Sequence, residues 1–171
     1  MKFRSGLVLL FLVVLFAAPG FFAYFFYSHP HWLDHTKTNR GELINPPIQL
    51  MSANSTKWKL LLWSPQVCEE SCIEQLDKLA RIRLALGRRL YGLELWLLLG
   101  NNAPNLSKMF SDTLHEKDIR VLKLSALDLP SALPEDAKVY LENPNGYLVL
   151  SYPLTANPKD IFHDIKRLLK E

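Results

Sequence analysis

The chain has 171 residues, 49% of them hydrophobic, with 20 basic against 17 acidic residues and two cysteines. Lys2 and Arg4 stand before a long apolar run, so the other 18 basic residues face 17 acidic ones. That near-neutral balance lacks the basic footprint of a nucleic-acid binder and excludes that class.

The first element is the apolar run itself. It is uncharged from Gly6 to Tyr27, longer than the roughly 20 residues that cross a bilayer core. Ala17-Ala18-Pro19-Gly20 offers small residues for a cleaved signal peptide, but the run continues through Phe21 to Tyr27 and ends in aromatic residues of the interfacial kind. Residues 1–27 are therefore expected to be an uncleaved single-span anchor. Lys2 and Arg4 keep the N-terminus cytoplasmic by the positive-inside rule, which puts the rest on the periplasmic side of the inner membrane, where thiols tend to be oxidised.

Residues 28–42 form a polar tether. His29, His31 and His35 could hold a metal, although an interfacial segment with Trp32 among the headgroups is the plainer reading. The domain is expected over 43–171. Its first stretch, through Pro46-Pro47, must be extended and is expected to lie along an edge.

Trp58 to Trp63 reads as an apolar strand, followed by Ser64-Pro65-Gln66-Val67 and a helix opening at Cys68 and Cys72. The edge between a strand's C-terminal end and a helix's N-terminus favours a thiolate, and these two cysteines are the candidate catalytic pair. Were both fully helical, their Cβ atoms would stand about 5–6 Å apart, against roughly 3.5–4.5 Å in a disulfide. Cys68 must then sit at or before the helix cap if the pair oxidises. The same two thiols suit copper(I), as metal ligands whose third partner the sequence does not identify. Glu69 and Glu70 favour the helix start but oppose thiol ionisation.

Ile73, Leu76, Leu79, Ile82 and Leu86 continue the helix to Gly87. Arg81, Arg83, Arg88 and Arg89 make one basic face, whose plainer reading is solvation. A buried parallel strand is expected at Leu93–Leu99, a helix at about Leu106–Glu116, and a strand at Arg120–Leu124. A hairpin runs from Val139 to Tyr152 through Asn143-Pro144-Asn145-Gly146. Asn157 caps a last helix with Pro158 at its first position and Ile161, Phe162, Ile165, Leu168 and Leu169 on its apolar face. Parallel strands alternating with helices, then an antiparallel pair and a helix, give an α/β, thioredoxin-like plan: a mixed sheet with flanking helices after one transmembrane helix.

Gly41-Glu-Leu-Ile-Asn-Pro46-Pro47, the Cys68-x-x-x-Cys72 turn after Trp63-Ser-Pro, and Tyr140-Leu-Glu-Asn-Pro-Asn-Gly146 occur in an order that resembles the SCO/SenC group of thioredoxin-like cytochrome oxidase assembly proteins. The resemblance implies one N-terminal anchor, an extracytoplasmic domain, and delivery of copper(I) to an oxidase subunit or reduction of its cysteines. In that family a histidine ahead of the strand matching Val139–Glu142 completes the copper site. Here the stretch reads Pro134-Glu135-Asp136-Ala137-Lys138, and hard carboxylates serve copper(I) poorly. His115 is expected at the opposite end of the sheet, and His163 has no route to the cysteines. Three functions follow. The first is oxidase assembly through thiol redox or copper(I) handling, with an oxidase subunit or other thiol protein as partner. The second is a non-catalytic interaction subunit. The third is a general extracytoplasmic thiol–disulfide oxidoreductase.

Overall fold

The computed structural model describes residues 2–29, 38–50, 56–68, 70–124, 133–134 and 136–170. It divides into two units, Met1–Thr38 and Asn39–Glu171. In the first, helix α1 (Lys2–Ser28) is, over Gly6–Ser28, long and apolar enough to cross a membrane by length and composition. Pro19 lies inside it, as spanning helices tolerate. The last turn closes through Ser28 Oγ donating to the Tyr24 carbonyl at 2.9 Å. Trp32, His31 and His35 of the expected tether lie outside the described residues.

The second unit is built on one six-stranded sheet in the order β1-β6-β5-β2-β3-β4. Its elements are β1 (Glu42–Gln49), β2 (Trp58–Ser64), α2 (Glu70–Ala85), a 3-10 turn (Gly87–Gly92), β3 (Leu93–Leu99), α3 (Lys108–Glu116), β4 (Ile119–Lys123), β5 (Lys138–Glu142), β6 (Tyr147–Pro153) and α4 (Pro158–Leu168). Strands β2, β3 and β4 are parallel, while β5, β6 and β1 add antiparallel on the other side. This is the expected mixed, thioredoxin-like sheet. Two boundaries differ from the periodicity. The helix expected from Leu106 starts at Lys108, because the Ser107 hydroxyl accepts from the Phe110 amide at 3.3 Å and fixes the cap there. Strand β4 takes in Ile119, which pairs with Leu95.

Strand β2 is buried on both faces, so its side chains alternate between two apolar layers rather than between core and water. Leu60 and Leu62 join Leu76, Leu79 and Ile82 of α2 and Ile161 and Ile165 of α4. Leu61 and Trp63 join Leu98, Tyr140 and Leu148 on the other face. Each such burial contributes about 1.5–3 kcal/mol. Lys59 falls on the second face in this alternation. It meets Glu142 across the β2–β5 pair, Nζ to Oε1 at 2.6 Å, with both residues buried.

The Pro46-Pro47 stretch forms the edge strand expected of it. Its pairing with β6 breaks register between Leu43 and Ile48, around the cis Asn45–Pro46 bond. Prolines offer no amide to a ladder, so an edge with a bulge is where they fit. Gly146 has φ of 82° and completes the β5–β6 turn, where the Asn143 amide donates to Tyr147 and the Gly146 amide to Asn143.

Asp164, buried on α4, fixes where the chain enters this unit. Its carboxylate accepts from the Arg40 and Gly41 amides, each at 2.8 Å to Oδ2, and from the Tyr152 hydroxyl at 2.9 Å. Burial, and then the Asp164 charge, push the Tyr152 phenol well up, so it stays a donor.

Candidate thiol site

Ser64 ends β2 on the sheet, and its carbonyl accepts from the Gly100 amide at 3.0 Å just past β3. A Cβ on Gly100 would run into the Pro65 carbonyl. Only glycine lets these two loops approach so closely, and this fixes the direction in which Pro65-Gln66-Val67 leaves the sheet.

Cys68 lies two residues ahead of α2 and Cys72 lies in its first turn. This is the arrangement the spacing requires, with Cys68 before the helix. The two sulfurs form a disulfide, with Cα atoms 5.2 Å apart, inside the usual range of about 4.4–6.8 Å. Cys72 is 6% exposed and packs into the core, whereas Cys68 is half-buried at the surface. Val67 beside it is 53% exposed. The sulfurs therefore differ in exposure, Cys68 being the more accessible to solvent.

A cavity of about 310 Å³ opens at this edge, with Ser64, Gln66, Ser71, Cys72, Asp136 and Leu154 in its wall. Ser71 and Leu154 also line a neighbouring hollow that runs along α2 to Asn157. Between them Gln75 Nε2 donates to the Leu154 carbonyl at 2.5 Å. The far wall is positioned by Trp63, whose indole N–H donates to the Pro134 carbonyl at 2.9 Å.

The stretch standing where a histidine was sought thus does reach the cysteine cavity, through the exposed carboxylate Asp136; Glu135 lies outside the described residues. A hard oxygen ligand fits copper(I) poorly. Among the described residues no three His, Cys, Asp or Glu side chains gather to hold a metal ion. Joined in a disulfide, the two sulfurs offer no thiolate to copper(I), and the described carboxylate beside them is the hard Asp136. His115 lines a cleft with Trp96, Asp118 and Arg120 near the start of β4, at the opposite end of the sheet, as the topology requires. His163 is exposed on α4 with Nδ1 3.1 Å from Asp164. His29 stacks on Phe25 at the end of α1.

Arg83 departs from the expected solvated basic face. It pairs with Asp118 at 2.6 Å and donates to the Leu93 carbonyl at 2.9 Å, so it ties α2 to the β3 and β4 ends. Leu154 and Asn157 come to this edge through tertiary packing, and their spacing in the chain carries no signal for it.

Residues 58–171 match the family described as "Transmembrane-like, thioredoxin-like, C-terminal domain". No curated protein matches the chain. Solved structures of similar fold include copper-bound ScoI of Arabidopsis thaliana, with TM-score 0.52 and 13% identity, over 68% of this chain and 86% of that one. They also include a secreted thiol-disulfide isomerase of Corynebacterium glutamicum, with TM-score 0.49 and 11% identity, over 68% and 73%. A third is a SCO1/SenC family lipoprotein of Bacillus anthracis, with TM-score 0.47 and 12% identity, over 75% and 99%. The SCO/SenC group read from the motifs is thus among the structural neighbours, and what copper-bound ScoI shares with this chain at 13% identity is the fold.

Proposed function

The chain belongs to the transmembrane-like, thioredoxin-like C-terminal domain family, and on that footing we propose that it is a membrane-anchored thiol–disulfide exchange protein acting through Cys68 and Cys72. The observation that carries this reading is the pair itself: two joined sulfurs at the β2–α2 edge, Cys68 the more exposed and Cys72 in the wall of an open cavity. In the oxidised chain, a target thiolate attacks Cys68 Sγ, and the Cys68–Cys72 bond breaks. The bond's electron pair leaves on Cys72 Sγ, which takes a proton from water. A second target thiolate then attacks the target's first sulfur in the mixed disulfide, closing the target disulfide and releasing Cys68 as thiolate. The target is oxidised by two electrons and this chain is reduced by two; the reverse sequence reduces a target disulfide.

Lys2 and Arg4 support an inner-membrane protein with a cytoplasmic N-terminus and the domain on the periplasmic side. The partner we assign is a cysteine-bearing extracytoplasmic protein, with a cytochrome oxidase subunit the first candidate. Copper(I) would be cargo on the reduced thiolates, and no step here is routed through it. Stoichiometric copper(I) uptake by the reduced chain, lost in Cys68→Ser, would bring the metal into the function.

The full chain in detergent micelles, given a dithiol peptide and glutathione disulfide, tests the proposal. Peptide oxidation is expected to run at least about a hundredfold faster with the wild type than with Cys68→Ser/Cys72→Ser. Equal rates would refute it.

A further inference from the structure

Helix α2 carries Cys72 in its first turn and ends at Ala85, about 20 Å away along its axis. There the Gly87–Gly92 turn lies beside the end of α4. Arg89 Nη1 donates to the Lys166 carbonyl at 3.4 Å, and a Cβ on Gly92 would stand 3.2 Å from Leu169 Cδ2. Arg88, Arg89, Lys166, Arg167 and Lys170 are all exposed on these joined ends. Three acidic groups on α2 and ahead of β4 have their own cations: Asp118 pairs with Arg83, Asp77 with Lys117, and Glu74 with Lys78.

The helix dipole accounts for a cation or two in each last turn. It does not account for Arg88 and Arg89 beyond α2, for Lys170 beyond α4, or for Leu84 and Tyr91, which are 69% and 74% exposed. Cations beside exposed aliphatic and aromatic groups are the composition of a surface that meets lipid headgroups. A second observation points the same way. The Asp164 clamp holds Arg40 on the turn of α4 just before Lys166 and Arg167, and Arg40 is itself exposed and basic. From the end of α1 to this point, residues 29–39 can span at most about 40 Å.

We infer that the face carrying Arg40, Arg88, Arg89, Lys166, Arg167 and Lys170 docks on the anionic phospholipid headgroups of the bilayer that α1 spans, with the disulfide edge of the sheet turned away from it. The inference rests on α1 being a membrane span and stands apart from the redox reading.

Hydrogen exchange of the full chain in nanodiscs tests it, comparing phosphatidylcholine alone with phosphatidylcholine plus phosphatidylglycerol. In about 0.1 M salt, amides of residues 86–92 and 166–170 are expected to exchange about tenfold more slowly in the anionic discs, an effect lost near 1 M salt, where the Debye length is about 3 Å. Arg88→Glu/Arg167→Glu/Lys170→Glu should lose the slowing while β3 amides exchange as in the wild type. Equal exchange in the two kinds of disc, the result expected if the face serves an acidic protein instead, overturns the inference. So does slowing that survives charge reversal or high salt.

Discussion

Cys72→Ser will hold its target as a long-lived mixed disulfide through Cys68, and Cys68→Ser will hold none. The asymmetry follows from access. Cys68 is half-buried ahead of α2, whereas Cys72 is 6% exposed inside the first helical turn. In Cys72→Ser the Cys68 thiolate therefore attacks a target disulfide, forming the mixed disulfide and releasing the target's second sulfur as thiolate. In the wild type the mixed disulfide is also within reach of Cys72, with Cα atoms 5.2 Å apart, and an intramolecular thiol acts at an effective concentration of millimolar or more. Removing Cys72 leaves release to a second target thiol or to solvent thiols alone. The lifetime of the adduct is expected to rise at least about a hundredfold, read as a covalent band on non-reducing electrophoresis that dithiothreitol removes. Equal trapping by both variants, or trapping through Cys72, would reverse the assigned roles.

Lys59→Met will cost about 3–5 kcal/mol of stability, among the largest effects of any single change outside the cysteines. Lys59 and Glu142 are both buried, and their ion pair also sits under the Trp96 ring, with Lys59 Nζ 5.7 Å from its centroid. Glu142 Oε2 is buried with no partner among the described residues, so Lys59 supplies the charge compensation that the site has. Burial pushes the Glu142 carboxyl up, and Lys59 only partly draws it back. Without Lys59 that rise grows. A carboxyl raised in the folded state contributes stability that is fully present below its unfolded pKa, about 4.3, and is lost as pH climbs through the folded value. The cost of Lys59→Met must therefore be smallest in acid and increase toward neutral pH. Lys59→Met/Glu142→Leu should recover most of it, because an apolar pair of similar volume carries no desolvation penalty. Urea unfolding in micelles at about pH 5 and pH 8, followed by tryptophan fluorescence, measures both effects. A cost independent of pH, or a double variant as unstable as the single one, would contradict this account of the pair.

The two predictions differ in how far the sequence foretold them. The thiol site was legible because its signals are local: an apolar strand, a proline turn, and two cysteines whose four-residue spacing forces the first ahead of the helix. The hairpin at Asn143 to Gly146 and the Asn157-Pro158 cap are local for the same reason, and the prolines of β1 announced an edge. The Lys59–Glu142 pair was not legible. A strand buried on both faces shows no alternation between apolar and polar, so Lys59 reads as a flaw in an apolar run, and its partner is 83 residues away. The Asp164 clamp was hidden likewise, since its donors are backbone amides at Arg40 and Gly41 that any residue types would supply. Asp136 stands between these cases. The resemblance marked its stretch as the place to look, and the cavity wall includes it. The basic face was half legible: its arginines follow one another along α2 and the turn after it, but Arg83 proved to be engaged with Asp118, and the end of α4 brings Lys166, Arg167 and Lys170 alongside.

The most direct measurement is a redox titration of the full chain in glutathione buffers, quenched with an alkylating reagent and read by intact mass. If Cys68 and Cys72 work as one exposed couple, the chain will pass between two masses in a single two-electron step, and Cys68→Ser will abolish that step. A disulfide that resists every glutathione ratio until the domain is unfolded, or cysteines that titrate singly without pairing, would contradict it.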